Sequence, residues 1–199
     1  MSSQKSAAAA PERSPAVVLY AEARGFTRMS EALDPAVVLS LVSEFFALVG
    51  AAVERHEGIA ANRINDTLVA IFTGADDARN AVQAAQDIQR EFVAVGESWE
   101  RNYGIRAAVA MGLHCGDVVT GFMGEESDRL FILGDCVSIA ERLLHRARLG
   151  EFVLSYELMQ LLAETGHPVE AEELPPIEMS RREPIRIYGA LLDQRLDFT

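Results

Sequence analysis

Apolar and polar positions divide the first third of the chain into a predicted strand and a predicted helix. The segment AVVLYAEA (16–23) is almost continuously apolar, which predicts a buried strand, and the glycine of RGFT (24–27) predicts a tight loop after it. Asp34 is a favourable helix cap, and Pro35 suits the first helical position. Apolar residues then recur at helical spacing until Gly58, so this helix is expected to bury one face on a sheet.

The next segments predict a hairpin. Two strand-like runs, IAANRI (59–64) and TLVAIF (67–72), are separated only by Asn65 and Asp66. A two-residue link of this kind suits a tight turn between antiparallel strands. The two runs are therefore expected to pair directly.

The pattern beyond the hairpin predicts another helix and a long strand. A helical apolar repeat covers residues 76–95, and the polar segment GESWERNYG (96–104) is expected to be a connection. Residues 105–124 are expected to form a long strand that bends or turns near Gly116. A further strand and a third helix follow, and the acidic run EAEEL (170–174) is expected to be a solvated surface.

The order strand, helix, hairpin, helix, strand predicts the fold class. It is the βαββαβ arrangement of a ferredoxin-like core, which belongs to the α+β class. The segments EFVLSYELMQLL (151–162) and EPIRIYGALL (183–192) add a strand, a short helix and a final strand as C-terminal extensions. One domain is expected over residues 16–191, between a disordered leader (1–15) and a short C-terminal tail (192–199).

Composition and charge exclude several kinds of function. The net charge of −12 argues against a nucleic-acid partner, because that affinity depends on cations that neutralise phosphates. The same charge disfavours binding to an anionic membrane surface, and no run approaches the ~20 apolar residues that span a bilayer. Cys115 and Cys136 are not in a CxxC pair, so neither a disulfide framework nor a zinc site is expected. A cytoplasmic protein without nucleic-acid or membrane partners is predicted.

Two acidic residues stand at predicted sheet edges. Glu22 ends the first strand and Asp66 lies in the hairpin link. In a ferredoxin-like core these strands are neighbours, so the two carboxylates could converge and share a pair of divalent cations, which prefer oxygen ligands. Aspartate is also common in turns for purely conformational reasons, and spacing alone leaves both interpretations open.

Several ordered segments resemble the successive signatures of class III nucleotide cyclase domains, the adenylate and guanylate cyclase catalytic family. They are, in order, VVLYAEARGFTRMSEALDP, NRINDTLVAIF, GLHCGDVVTGFMG, FILGDCVSIAERL, GEFVLSYEL and LPPIEMSRREPIRIYGAL. The resemblance covers residues 16–191 and implies the family fold, with its βαββαβ core. It also favours the metal-ligand interpretation of Asp66.

The resemblance implies a site for divalent metal, Mg²⁺ or Mn²⁺, and for a nucleotide triphosphate. The two metal-binding aspartates of the family correspond to Asp66 and to Glu22, whose side chain is one methylene longer. The loop whose backbone amides bind phosphates in the family corresponds to RGFT, with Gly25, Phe26 and Thr27 retained. ATP or GTP is the nucleotide implied.

Other positions depart from the family pattern. Asn62 stands where a lysine usually reads the purine, and Phe131 stands where an aspartate or threonine assists it. The asparagine and arginine that orient the ribose and stabilise the transferring phosphoryl group correspond to Ser138 and Arg142. Ser180 stands at the position of a phosphate-contacting lysine. Asn62 is also compatible with an ordinary polar strand end, and Phe131 is expected to fill the base pocket as a core residue.

Three functions are therefore compatible with the sequence. The favoured one is a catalytically impaired cyclase domain that binds nucleotide or regulates a partner in cyclic-nucleotide signalling. An active cyclase with unusual base selection and a purely structural dimerisation domain are the alternatives. In each, the resemblance implies a head-to-tail homodimer in which the acids of one chain face the Ser138 to Arg142 helix of the other.

Overall fold

A computed structural model describes residues 11–122, 130–179 and 183–191. Within them, eight strands form one sheet in the order β2-β3-β1-β4-β6-β8-β7, with β5 paired to β4. The strands are β1 (Glu12–Arg24), β2 (Ile59–Ile64), β3 (Thr67–Phe72), β4 (Ala108–Phe122), β5 (Leu130–Leu133), β6 (Glu151–Ser155), β7 (Glu172–Ile177) and β8 (Ile185–Leu191). The helices are α1 (Phe26–Ala32), α2 (Pro35–Arg55), α3 (Asp77–Tyr103), α4 (Asp135–Arg146) and α5 (Tyr156–Glu164).

The predicted βαββαβ order is present as β1, α2, β2, β3, α3 and β4. Helices α2, α3 and α5 contribute to the large core cluster on one face of the sheet, whereas α4 packs on the opposite face. Asp34 caps α2 as predicted, because its carboxylate accepts a hydrogen bond from the Ala36 amide at 2.8 Å. The hairpin is also confirmed, with Asn65 in the left-handed conformation at φ 53°.

Strand β1 lies at the centre of the sheet between β3 and β4. Residues 16–19 are at most 1% exposed, because helices α2 and α3 pack on one face of the sheet here and α4 packs on the other. The strand begins at Glu12, so the prediction of a leader extending to residue 15 is wrong for its last residues. Arg13 pairs with Val119 in register, and its guanidinium contacts Asp117 at 2.7 Å, which ties this end of the strand to β4.

Helix α3 is longer than predicted, since it includes the polar segment 96–104 as far as Tyr103. Trp99 within this segment is only 1% exposed, and its indole donates a hydrogen bond to Glu44 of α2 at 2.8 Å. Gly96 lies where α3 passes close to the chain before β4, and a Cβ there would be 2.7 Å from the Ala107 carbonyl oxygen. One buried face therefore keeps a mostly polar segment helical.

Strand β4 is continuous, so the predicted turn near Gly116 is wrong. It pairs with β1 along its length, from Ala108 opposite Arg24 to Thr120 opposite Glu12. Gly116 pairs with Ala16 inside this ladder. Backbone pairing over the whole length of β1 outweighs the local preference of glycine for a turn.

The acidic run near the C-terminal end forms part of a strand rather than a loop. Strand β7 pairs with β8 at the edge of the sheet, and Glu173 contacts Arg186 of β8 at 2.9 Å. The strand contains Pro175 and Pro176, which edge strands tolerate because one side needs no ladder hydrogen bonds. Its glutamates are exposed, as expected for a solvated surface.

Helix α2 is long and apolar enough to cross a membrane by length and composition, with 21 residues and a hydropathy of 2.2. The expectation that no segment approaches this length is therefore wrong. In this structure Leu41, Phe45 and Val49 of α2 are buried in the large core cluster. A core helix satisfies the same criterion.

Helix α4 lies directly against the sheet at Gly112 of β4. A Cβ at this glycine would lie 2.2 Å from the Leu144 nitrogen and 2.3 Å from the Ala140 carbonyl oxygen. Both are backbone atoms, so a side-chain rotation cannot relieve the clash. The absence of a side chain at residue 112 therefore sets the distance between α4 and the sheet.

We expect Gly112→Ala to lower the free energy of unfolding by about 3 kcal/mol, as measured by chemical denaturation, because α4 must move outward. Gly121→Ala on the same strand is the matched control, since its added Cβ would find no atom closer than 3.7 Å. Equal stability of the two variants would contradict this account of α4 packing.

Candidate functional site

The predicted metal acids come together at the end of β1. Glu22 pairs in register with Thr67 of β3, the residue that directly follows Asp66. The amide of Ala23 also donates a hydrogen bond to the Asp66 carbonyl oxygen at 3.1 Å. The hairpin turn is thereby held against β1, which places Asp66 beside Glu22.

The two carboxylates influence each other electrostatically. Burial raises the pKa of Glu22 above its ordinary value, Arg24 opposes the rise, and the Asp66 carboxylate adds to it. Burial likewise raises the pKa of Asp66, while a backbone hydrogen bond and Arg24 oppose the rise. Two partly buried acids of like charge therefore lie in the field of the same arginine.

Arg24 is the component of this site that sequence reasoning missed. One guanidinium nitrogen (Nη1) lies 2.7 Å from Oε1 of Glu22, and the other (Nη2) donates a hydrogen bond to the Leu144 carbonyl oxygen at 3.1 Å. Side chains two residues apart on a strand lie on the same face, so the spacing of Glu22 and Arg24 was an available signal. Arg24 links the acid pair to the end of α4.

The predicted phosphate loop follows β1 immediately. Gly25 has φ 109°, a conformation that favours glycine, and it precedes Phe26, the first residue of α1. A Cβ at Gly25 would also lie 2.7 Å from the Arg106 carbonyl oxygen. The loop is thus the start of a short helix rather than an isolated turn, with Phe26 half-buried against the core and Thr27 exposed.

The predicted base-reading residues are both exposed. Asn62 lies on β2, where its side-chain oxygen accepts a hydrogen bond from the Arg63 amide at 2.9 Å. Phe131 lies on β5 and is 37% exposed, so the expectation that it fills the core is wrong. Leu130 and Ile132 are the residues of β5 that pack inward, and strand alternation therefore turns Phe131 outward.

Ser138 and Arg142 share one exposed face of α4. Their spacing of four residues aligns them, whereas Ile139 and Leu143 on another face of the helix are buried. Arg142 contacts the Met179 sulfur at 3.2 Å. Among the described residues, no hydrogen bond or ion pair joins Ser138 or Arg142 to the acid pair, and Ser180 lies outside these residues.

The chemistry of the acid pair fits a hard divalent cation. Such ions take oxygen ligands, and Mg²⁺ is commonly held by one or two carboxylates with waters and substrate phosphates completing the shell. Glu22 is 16% exposed at its side chain, so one edge of the pair remains open to solvent or a ligand. No cluster of three or more potential metal-binding side chains occurs in the described part of the chain.

Comparisons with known proteins agree on one family. The family model for the adenylate and guanylate cyclase catalytic domain matches residues 9–190. An adenylate cyclase from Anabaena cylindrica is 30% identical over 131 residues, which cover 63% of this chain and 26% of the relative. The chain thus spans about a quarter of that relative's length.

Solved structures share the fold. The adenylyl cyclase CyaB from P. aeruginosa superposes with a TM-score of 0.83 at 22% identity, covering 96% of this chain and 100% of CyaB. A non-canonical dimeric guanylyl cyclase domain of the RhoGC fusion protein from the fungus Blastocladiella emersonii has a TM-score of 0.77 at 18% identity. That match covers 92% of this chain and 98% of the fungal domain. The α+β fold expected from the sequence is therefore confirmed.

The raised pKa of Asp66 predicts a pH-dependent effect of Asp66→Asn. The folded protein binds this proton more tightly than the unfolded chain, so the contribution to stability is present at low pH and lost as the pH rises through the folded-state pKa. Asparagine removes the charge and keeps the oxygen. We therefore expect the variant to melt at a higher temperature than the wild type at about pH 8, and at the same temperature at about pH 3.

Thermal melts across this pH range measure the effect. Glu31→Gln removes an exposed charge of the same sign on α1, and we expect no comparable pH-dependent difference from it. A lower melting temperature for Asp66→Asn at about pH 8 would show that the charged form stabilises the fold, contrary to the burial of this site.

Proposed function

The chain belongs to the adenylate and guanylate cyclase catalytic domain family, and we propose that it is a catalytically impaired member that binds divalent metal and nucleoside triphosphate. Its role is regulatory, as a dimerising module in cyclic-nucleotide signalling. The observation that carries the proposal is that only part of the expected site is present. The acid pair and the phosphate loop are assembled, whereas the positions that read the base and hold the ribose lack suitable groups.

Metal and phosphate binding are assigned to the end of β1. Glu22 and Asp66 would hold the divalent cation, which would supply positive charge to neutralise the phosphates and polarise the phosphoryl group. The backbone amides at Gly25, Phe26 and Thr27 orient the phosphates, because a helix start presents unpaired N–H groups. Arg142 supplies a positive charge for the transferring phosphoryl group.

The site is expected to bind the base and the ribose of a nucleotide poorly. The side-chain oxygen of Asn62 already accepts a hydrogen bond from the Arg63 backbone amide, which leaves only its NH₂ group for a base, and the Phe131 ring offers no hydrogen bond to a purine edge. Ser138 is shorter than the asparagine that the family resemblance implies. Each unpaired polar group on a bound purine costs about 1 to 3 kcal/mol, and the loss of one donor to a developing charge costs on the order of 10² to 10³ in rate.

An active cyclase with unusual base selection is the second candidate. It is favoured by the acid pair and by the exposed guanidinium of Arg142 on α4. These groups are the ones that phosphoryl transfer needs most, because its catalysis depends on positioning and charge stabilisation. Turnover of the unmodified protein distinguishes the two candidates.

We assign the assembly to a head-to-tail homodimer. Within the described residues of one chain, no hydrogen bond or ion pair joins Ser138 or Arg142 to the acid pair. A two-fold arrangement would place these residues of one chain opposite the acids of the other, giving two equivalent sites. Val119 of β4 and Phe131 and Leu133 of β5 are exposed on one face of this strand pair, since Val119 pairs with Leu133 and Gly121 pairs with Phe131. This apolar surface is available to a second chain. The fungal domain of the same fold is dimeric, which supports a dimer but no particular arrangement of its two chains.

The dimer predicts opposite outcomes for two exposed leucines. Leu133 of β5 is 64% exposed within the apolar surface, and Leu39 of α2 is 69% exposed away from it. We expect the wild type to be a dimer by light scattering at high micromolar concentration, Leu133→Asp to be a monomer, and Leu39→Asp to remain a dimer. A buried charge without a partner is costly, which is why the first variant dissociates. A monomeric wild type would refute the assembly.

The impaired site predicts that restoring the missing groups restores turnover. With ATP or GTP and Mn²⁺, we expect the wild type to form cyclic nucleotide at or near background. Asn62→Lys with Phe131→Thr should increase nucleotide affinity with little gain in rate, because the ribose is still not oriented. Adding Ser138→Asn and Glu22→Asp should raise turnover above background, since positioning supplies much of the catalysis.

The control is Asp66→Ala in the restored protein, which should abolish the gain by removing a metal ligand. Cyclic product is measured directly, alongside triphosphate binding with and without Mn²⁺. If the unmodified protein cyclises ATP or GTP at a rate of order 1 s⁻¹, and Asp66→Ala removes that activity, the active-cyclase candidate replaces the impaired one.

A further inference from the structure

The acid pair already has a cation beside it. Glu22 and Asp66 are partly buried and of like charge, which would be unfavourable without compensation. The Arg24 guanidinium contacts the Glu22 carboxylate at 2.7 Å, with the two side chains 28% and 16% exposed. The same guanidinium opposes the rise in pKa that burial causes at both acids, so its charge acts on the whole pair.

We propose that Arg24 is the resident countercharge of the acid pair and that a divalent cation binds by taking its place at Glu22. Arg24 is thus a positioning residue that sets the metal affinity of the site. This inference rests on the proposed function, because it concerns the same acids. The addition is that a side chain of the protein itself competes with the metal for the Glu22 carboxylate.

Geometry makes the competition direct. A ligating oxygen lies about 2.0 to 2.1 Å from Mg²⁺, and a guanidinium bonded to that carboxylate would place like charge within a few ångströms of the ion. Charges this close repel strongly in a partly buried site. The Glu22 carboxylate therefore binds a metal ion more weakly while Arg24 is bonded to it.

The structure also provides a place for the displaced arginine. Its second nitrogen already donates to the Leu144 carbonyl oxygen at 3.1 Å, close to the end of α4 at Arg146. The Leu144 carbonyl oxygen also accepts a hydrogen bond from the Ala147 amide at 3.1 Å, and carbonyl groups in the last turn of a helix carry partial negative charge that favours a nearby cation. Arg24 can release Glu22 while keeping its bond to α4.

A countercharge of one unit has a consequence for ion selection. A monovalent cation that displaces Arg24 only exchanges one positive charge for another, whereas a divalent ion adds a charge to a site with two carboxylates. Arg24 therefore favours occupation by divalent over monovalent ions. Adjacent phosphates of a bound triphosphate would strengthen this preference.

The test measures the affinity of the full chain for Mn²⁺ in the absence of nucleotide. Calorimetry gives the binding constant directly, and the electron paramagnetic resonance signal of free Mn²⁺ gives it independently. We expect Arg24→Gln to bind Mn²⁺ at least about tenfold more tightly than the wild type, because the competing charge is gone. A pH of about 8 keeps proton competition small, since both acids have raised pKa values. Arg28→Gln removes the same charge from an exposed position on α1 and should change the affinity by less than about twofold.

Two further variants separate the causes. Arg24→Lys keeps the charge but cannot bridge Glu22 and Leu144 with one compact ammonium group, so its affinity should fall between those of the wild type and Arg24→Gln. Arg24→Gln combined with Asp66→Ala should lose the gain. The rise in melting temperature on adding Mn²⁺ gives a second measurement, which should be larger for Arg24→Gln than for the wild type.

The outcomes distinguish this inference from the proposed function. Equal Mn²⁺ affinity of the wild type and Arg24→Gln, with Asp66→Ala abolishing binding in both, overturns the role of Arg24 and leaves the metal site standing. No Mn²⁺ binding by either protein overturns both. If Arg24→Gln does not fold, the neutral variant Arg24→Met replaces it, and an affinity equal to that of the wild type overturns the inference.

Discussion

The central position of β1 determines where polar chemistry can occur in this domain. Neighbouring strands pair with both of its edges and most of its middle is buried, so residues 16–19 can only be apolar packing residues. Functional polar groups therefore lie further along β1, where the strand is less buried. Glu22 and Arg24 stand at that end of the strand. The hairpin of β2 and β3 is held to the same end through Ala23, which delivers Asp66. One buried strand thus assembles an acid pair from segments more than forty residues apart.

Charges of opposite sign lie close together at this end, with the acids in excess. Two acids and one arginine lie within a partly buried site, and the arginine is also bonded to α4, which carries Ser138 and Arg142 on its exposed face. The groups nearest the metal site are therefore connected to the helix that carries the proposed phosphoryl-contacting arginine. Electrostatics and packing are coupled here because a single side chain contacts both elements.

Sequence patterns predicted most elements but not their lengths or all of their contacts. The cap at Asp34 and the hairpin link are local signals, and both were correctly predicted. The end of α3 and the continuity of β4 depend on distant partners, namely the burial of Trp99 and the pairing with β1, which no local pattern contains. The acid pair followed from topology and family resemblance together. The outward direction of Phe131 did not, because it depends on which face of β5 packs inward.

The contact between α4 and Gly112 restricts how this domain can change shape. Backbone lies against backbone there, without a layer of side chains that could slide or change rotamer, so α4 and the central strands behave mechanically as one rigid body. The backbone at Arg142 is therefore expected to keep its distance from the strands that carry the acids of the same chain. In the proposed dimer, the distance that matters runs between two such bodies. Opening and closing of the site is then a rotation of one chain against the other, and a regulator would control the site by altering the angle between the subunits.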